Sequence, residues 1–200
     1  MWFSGRPATC FRDVVYAGLG LTRGVGLLPR GLLYIKRSHA RTIANEGDVE
    51  QLLLDFSAAH QLVFSAHFTG AGAPASNGAA APVALTLKQQ VEMAGAASVF
   101  VGMHGAGLWL CAVAPRGAVL LEMQPPGKYW DFYRQLCEVT GGVRVEVIRL
   151  ASSACTVWGT ATRGSGERCD SANVDLDVLR SALYAAVQLT ENHRNGVMSE

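Results

Sequence analysis

The chain has 200 residues, half of them hydrophobic, and a formal net charge of +1. That is enough to bury one sizeable core, which excludes disorder throughout, and the near-neutral charge argues against nucleic acid or an anionic membrane as a partner. No apolar run approaches the roughly 20 residues that span a bilayer, and Met1-Trp2-Phe3-Ser4-Gly5-Arg6-Pro7 lacks the ordered segments of a signal peptide.

Residues 1–30 form an N-terminal segment without a clear element. Its run from Val14 to Gly24 carries glycines, but the third falls one place too late for a dinucleotide fingerprint. From Gly31 onward strands and helices alternate. Leu32–Lys36 reads as a strand, and Asn45 as the cap of a helix from Glu46 to about His60, with Val49, Leu52, Leu53 and Phe56 at helical spacing. Gln61–Ser65 is a second strand. Residues 70–82 are rich in Ala, Gly and Pro and read as a disordered insertion. Thr86 caps a helix from Leu87 to Ala97.

Ser98–Met103 is the third strand, and Ala106–Val113 a short helix. Ala118–Glu122 is the fourth strand, and Tyr129–Thr140 a helix ended by Gly141-Gly142. Val143–Leu150 is the fifth strand. Residues 151–173 look like loop, Val174–Leu189 is a closing amphipathic helix, and 191–200 form a tail. Alternation of this kind predicts an α/β fold, a Rossmann-like parallel sheet with helices on both faces, over residues 31–190.

Ligands on such sheets bind beyond the carboxyl ends of the strands. Three strand ends carry polar groups: Arg37 with Ser38, His104 with its glycines, and Glu122. The stretch Val99-Phe100-Val101-Gly102-Met103-His104-Gly105-Ala106-Gly107-Leu108 is a buried strand, a tight turn and a helix start. Gly105 and Gly107 permit close approach of a ligand, and the N–H groups of Gly105, Ala106, Gly107 and Leu108 form a nest for a phosphate. His104 offers a ring N–H or a cation to the same anion. The competing reading gives the glycines a packing role and His104 a loop-capping one. Lys36, Arg37 and Arg41 are candidate cations. Glu122 serves either to bind a ribose or sugar hydroxyl or as a solvated loop acid, and Glu46 to stabilise its helix N-terminus.

Of the five cysteines, Cys111 and Cys137 fall in apolar segments and are expected to be buried thiols. Cys10, Cys155 and Cys169 lie in polar stretches and can pair in an oxidising compartment. Asp175-Leu176-Asp177 opens the last helix, where Asp serves capping and dipole better than a metal. His39, His60, His67 and His193 carry no ligand spacing, so no metal or cofactor site is expected.

Several of these blocks together resemble glycosyltransferase family 61, which includes extracellular O-linked N-acetylglucosamine transferases and plant xylosyl- and arabinosyltransferases. Arg41-Thr42-Ile43-Ala44-Asn45-Glu46 is similar to the family's Arg-x-Ile-x-Asn-Glu block, and Leu87-Lys88-Gln89-Gln90-Val91 to the helix before its site loop. Ala97–Leu108 is close to its A-D-V-x-V-G-x-H-G-A-G-L signature, and Pro115–Glu122 matches its P-x-G-x-x-x-x-E strand. The chain departs at Lys88-Gln89, at Ser98 in place of Asp, at Trp109-Leu110 and in the 70–82 insertion.

The resemblance implies the C-terminal, donor-binding half of a GT-B enzyme of two Rossmann-like halves. It also implies inverting transfer of a sugar from a nucleotide sugar, expected to be UDP-linked, to a hydroxyl of a glycan or protein in the Golgi or endoplasmic reticulum lumen. The donor would lie against Arg37, Arg41, His104, Gly105, Ala106, Gly107, Leu108 and Glu122. Neither metal, cofactor nor nucleic acid is expected, membrane contact would come only through a segment outside these residues, and the catalytic base is not identified. Two alternatives remain: a non-catalytic or incomplete nucleotide-sugar-binding fragment, and a different Rossmann-type nucleotide enzyme.

Overall fold

Five aliphatic runs assemble into one parallel sheet in the computed structural model, which describes residues 7–22, 28–37, 41–69, 85–126, 130–156 and 169–196. They are β1 (Gly31–Arg37), β3 (Val63–Thr69), β4 (Val99–Met103), β5 (Val119–Gln124) and β6 (Arg144–Arg149), in the order β3-β1-β4-β5-β6. The fold is therefore α/β and Rossmann-like, as the alternation predicted. Strands buried on both faces need apolar residues at every position, and β1, β4 and β5 are buried almost throughout.

The period of two sorts their side chains between two cores. Leu32, Tyr34, Val99, Val101, Leu121 and Met123 pack with Val49, Leu53 and Phe56 of α2 (Glu46–Ala59) and with Leu179 and Leu183 of α5 (Leu176–Arg194). On the other face Leu33, Ile35, Phe100, Leu120 and Val145 meet α1 (Pro7–Gly18), α3 (Leu87–Gly95), a 3-10 helix (Ala106–Val113) and α4 (Phe132–Gly141).

Several caps follow local chemistry. Thr86 and Gln89 form a reciprocal capping box, Asp175 accepts from the N–H groups of Asp177 and Val178, and Gly142 closes α4 at φ 62°. Asn45 departs from expectation. Its amide makes no cap bond but clamps Val174 from both sides, donating to the carbonyl at 2.9 Å and accepting from the N–H at 2.9 Å.

The segment read as elementless holds α1, so the Val14–Gly18 run ends a helix. Arg12 and Tyr16 donate from it to the carbonyls of Ala114 and Val113, at the end of the 3-10 helix. Within the stretch read as loop, β7 (Cys155–Thr156) and β8 (Ser171–Ala172) pair, and β8 also pairs with β2 (Thr42–Ile43). Cys111 and Cys137 are not thiols: they form a disulfide between the 3-10 helix and α4, with Cα atoms 5.5 Å apart. Cys169 is also disulfide-bonded. Ser38, His39, Tyr129 and the 70–82 insertion lie outside the described residues.

Candidate functional site

The strand order reverses direction between β1 and β4, and a crevice opens at such a switch point. Arg37 ends β1 and His104 follows β4. The alternation that puts Leu33, Ile35, Phe100, Gly102 and Leu120 on the α4 side also sends Arg37, His104 and Glu122 there. The structure thus brings together three residues that lie 85 positions apart or less in sequence but belong to three neighbouring strands or the loop that follows one.

The loop between β4 and the 3-10 helix is held closely. Gly105 is extended, and its carbonyl accepts from Tyr133 Oη at 2.6 Å and from the Leu108 N–H at 3.0 Å. A Cβ on Gly105 would overlap the Arg37 guanidinium, so only glycine lets Arg37 cross the loop. The anticipated four-membered nest is corrected here. The Leu108 N–H is used and its side chain is fully buried in the core. That leaves the N–H groups of Gly105, Ala106 and Gly107 without a backbone acceptor among the described residues, with Ala106 exposed and Gly107 half-exposed.

Two guanidiniums converge on one carbonyl. Arg37 Nη1 donates to His104 O at 3.1 Å and Arg41 Nη1 to the same oxygen at 3.2 Å. Burial first, and then the Arg41 charge, pull the Arg37 guanidinium below its ordinary range, with Tyr133 opposing. Arg41 holds a left-handed backbone, φ 59°, which a branched-at-Cβ or bulky residue adopts only at a cost. Its guanidinium also lies 5.3 Å from the centre of the Trp130 ring, within cation–π reach.

His104 is enclosed. Its Nδ1 bonds Glu122 Oε1, its ring stacks on Trp130 with centroids 4.1 Å apart, and Tyr133 meets it edge-on at 5.3 Å. Gln124 fixes Trp130 by donating to its carbonyl at 2.7 Å. Burial, then Glu122, raise the Tyr133 hydroxyl above its usual range, so it stays a neutral donor. The position of Glu122 is a second correction. β5 continues to Gln124, so Glu122 does not close the strand; it is 0% exposed and faces His104 rather than solvent. Among the described residues its Oε2 has no hydrogen-bond partner.

Other candidates lie elsewhere. Lys36 falls on the opposite face, buried, with Nζ 2.8 Å from Glu50 and over the Phe68 ring. Glu46 sits in the first turn of α2 and accepts from Tyr34 Oη at 3.3 Å. His60 packs between Phe56 and Tyr184, and His67 is buried, which lowers its pKa. Among the described residues no cluster of three His, Cys, Asp or Glu side chains is placed to hold a metal, and no described helix is long and apolar enough to cross a membrane.

Sequence reasoning missed Trp130, Tyr133 and Gln124. The aromatic pair at the start of α4, next to the expected strand end, was the available signal. No family model matches the chain, and no curated protein matches it.

Proposed function

We propose that this crevice binds the diphosphate of a nucleotide sugar and that the chain is the donor-binding fold of a glycosyltransferase. The observation that carries the reading is the convergence of Arg37 and Arg41 on the His104 carbonyl, beside the N–H groups of exposed Ala106 and half-exposed Gly107, which have no backbone acceptor among the described residues. Two like charges brought side by side, one of them partly desolvated, gain from an anion between them and the loop. The blocks resembling glycosyltransferase family 61 supply the choice of a sugar nucleotide over other phosphates.

In sugar transfer the acceptor oxygen attacks the anomeric carbon while the bond to the diphosphate oxygen breaks. The negative charge that grows on the leaving group is what the two guanidiniums and the loop amides would take up. Inversion needs a base on the opposite face of the sugar. Glu122 is committed to His104, so that base comes from outside this crevice, and the acceptor, glycan or protein, would approach from there. The Cys111–Cys137 disulfide supports an oxidising compartment, in keeping with the secretory pathway.

The same locked carboxylate favours a second reading, a nucleotide-sugar-binding fold that performs no transfer. Calorimetry with UDP, uridine, UDP-N-acetylglucosamine, UDP-xylose and NAD tests the site. Two charge-assisted contacts should make UDP at least about a hundredfold tighter than uridine. Equal affinity for UDP and uridine, or preference for NAD, overturns the donor-site reading. Sugar release from a bound UDP-sugar to a glycan or peptide hydroxyl separates the enzyme from the binder.

A further inference from the structure

We propose that Glu122 is a positioning residue: it holds the His104 ring so that Nε2 is the atom offered to a bound phosphate, and anion binding there takes up a proton. The inference rests on the donor-site reading above and adds a proton to it. Glu122 lies opposite Gly102 in the β4–β5 register, one residue pair before the end of β4, where its side chain reaches back under the imidazole. It is wholly buried, and among the described residues Oε2 is unpartnered and the His104 ring is its only hydrogen-bond donor.

A carboxylate at Nδ1 requires a hydrogen on Nδ1 in either charge state of the ring. In the neutral ring Nε2 is then a bare lone pair, which repels a phosphate oxygen. In the cation it is a donor. Nε2 bonds no described group, and it is not among the buried atoms left without a partner, so it is the ring nitrogen that reaches solvent. The stack on Trp130 and the edge of Tyr133 oppose a ring flip that would exchange the two nitrogens.

Among the described residues, the charged and titratable groups facing the ring are Arg37 from β1, Arg41 from before β2, Glu122 from β5 and Tyr133 from α4. Arginines keep their protons in water, and Tyr133 is pushed further from ionising. Glu122 is wholly buried and already accepts the Nδ1 hydrogen, so the proton enters at the other ring nitrogen of His104, Nε2.

Titration of UDP into the protein at about pH 8, above the second phosphate ionisation near pKa ~6, in two buffers of different ionisation enthalpy, counts that proton. The wild type should take up between about half and one proton per UDP. In Glu122→Gln the amide can turn to donate to Nδ1, so Nε2 carries the hydrogen in the neutral ring. That variant should bind UDP with the uptake abolished, and Glu122→Asp should restore part of it. His104→Asn, an independent variant at the other partner, should also lose the uptake. UDP binding by the wild type without proton uptake overturns the inference and leaves the donor site standing, as does uptake that survives in either Glu122→Gln or His104→Asn. Absence of UDP binding by the wild type overturns the donor site and this inference together.

Discussion

A methyl group on Gly105 would sit 1.2 Å from Nη1 of Arg37. The atom in the way is the far end of a flexible side chain, so the backbone need not move and Arg37 swings out. Gly105→Ala should leave the melting temperature nearly unchanged and weaken UDP about tenfold, the value of one charge-assisted contact. Calorimetry and circular dichroism on the same sample check this. Unchanged affinity would show that Arg37 does not touch the ligand.

Arg41 combines a cation with a left-handed backbone, φ 59°. Arg41→Gly removes both. Loss of the guanidinium should weaken UDP by about tenfold or more while leaving uridine unaffected. Relief of the left-handed cost, about 1 kcal/mol, offsets the added freedom of the unfolded chain. Urea denaturation should therefore give stability within about 1 kcal/mol of the wild type. Equal losses for UDP and uridine would place Arg41 on the base or in the scaffold.

The Cys111–Cys137 disulfide spans 26 positions of sequence. Closing a loop of that size removes unfolded-state entropy worth about 3 kcal/mol. Replacing both cysteines by alanine should lower unfolding stability by that order. Because the bond joins the 3-10 helix to α4, which carries Tyr133, the variant should also bind UDP more weakly. Stability that matches the wild type in urea would mean that packing alone holds the two elements.

Burial raises the Glu46 carboxyl above its ordinary range, and Glu50 adds to this; Lys36 and the Tyr34 hydroxyl oppose. A carboxyl whose folded pKa is raised stabilises the fold below its unfolded value and loses that contribution as pH climbs through the folded one. Glu46→Gln keeps an acceptor for Tyr34 without the charge. It should be more stable than the wild type at pH 7, with the gain vanishing below the ordinary glutamate pKa of about 4.3. Thermal melts across that range decide it, and a variant less stable at pH 7 would mean that the helix dipole and Lys36 outweigh desolvation.

The sheet was legible because buried parallel strands demand unbroken aliphatic runs, and Leu32–Ile35, Val99–Val101 and Val119–Leu121 supply them. Thr86, Asp175 and Gly142 were legible because caps are decided by residues within a turn of one another, and the structure adds Gln89 as the partner of Thr86. What escaped depends on distant partners. Asn45 has ideal cap chemistry, yet Val174 takes its amide. Glu122 looked like a strand end because a charge usually marks the surface, and only the position of His104 explains a carboxylate in the core. Two-residue strands such as β2 and β8 have no period to read. In α1 the glycines behind Val14 and Val15 hid the helix, whose Tyr16 finds its place against the 3-10 helix. Cys111 and Cys137 read as apolar fillers because their meeting is a property of helix packing.

The clamp between Asn45 and Val174, with the β2–β8 pairing beside it, also sets a timetable. The residues that follow Arg41, from Thr42 to Asn45, are secured by partners about 129 positions downstream, as the Asn45 bonds show. Long-range closures of this kind come late, because the chain entropy between the partners must be given up first. A nascent chain that has already paired β1, β4 and β5 can present Arg37, His104 and Glu122 on adjacent strands. It cannot fix Arg41 until residues 171–174 have emerged and docked. The proposed anion site is thus completed by a segment about 129 positions downstream of the residues it secures, and ligand affinity would report that this closure has been made.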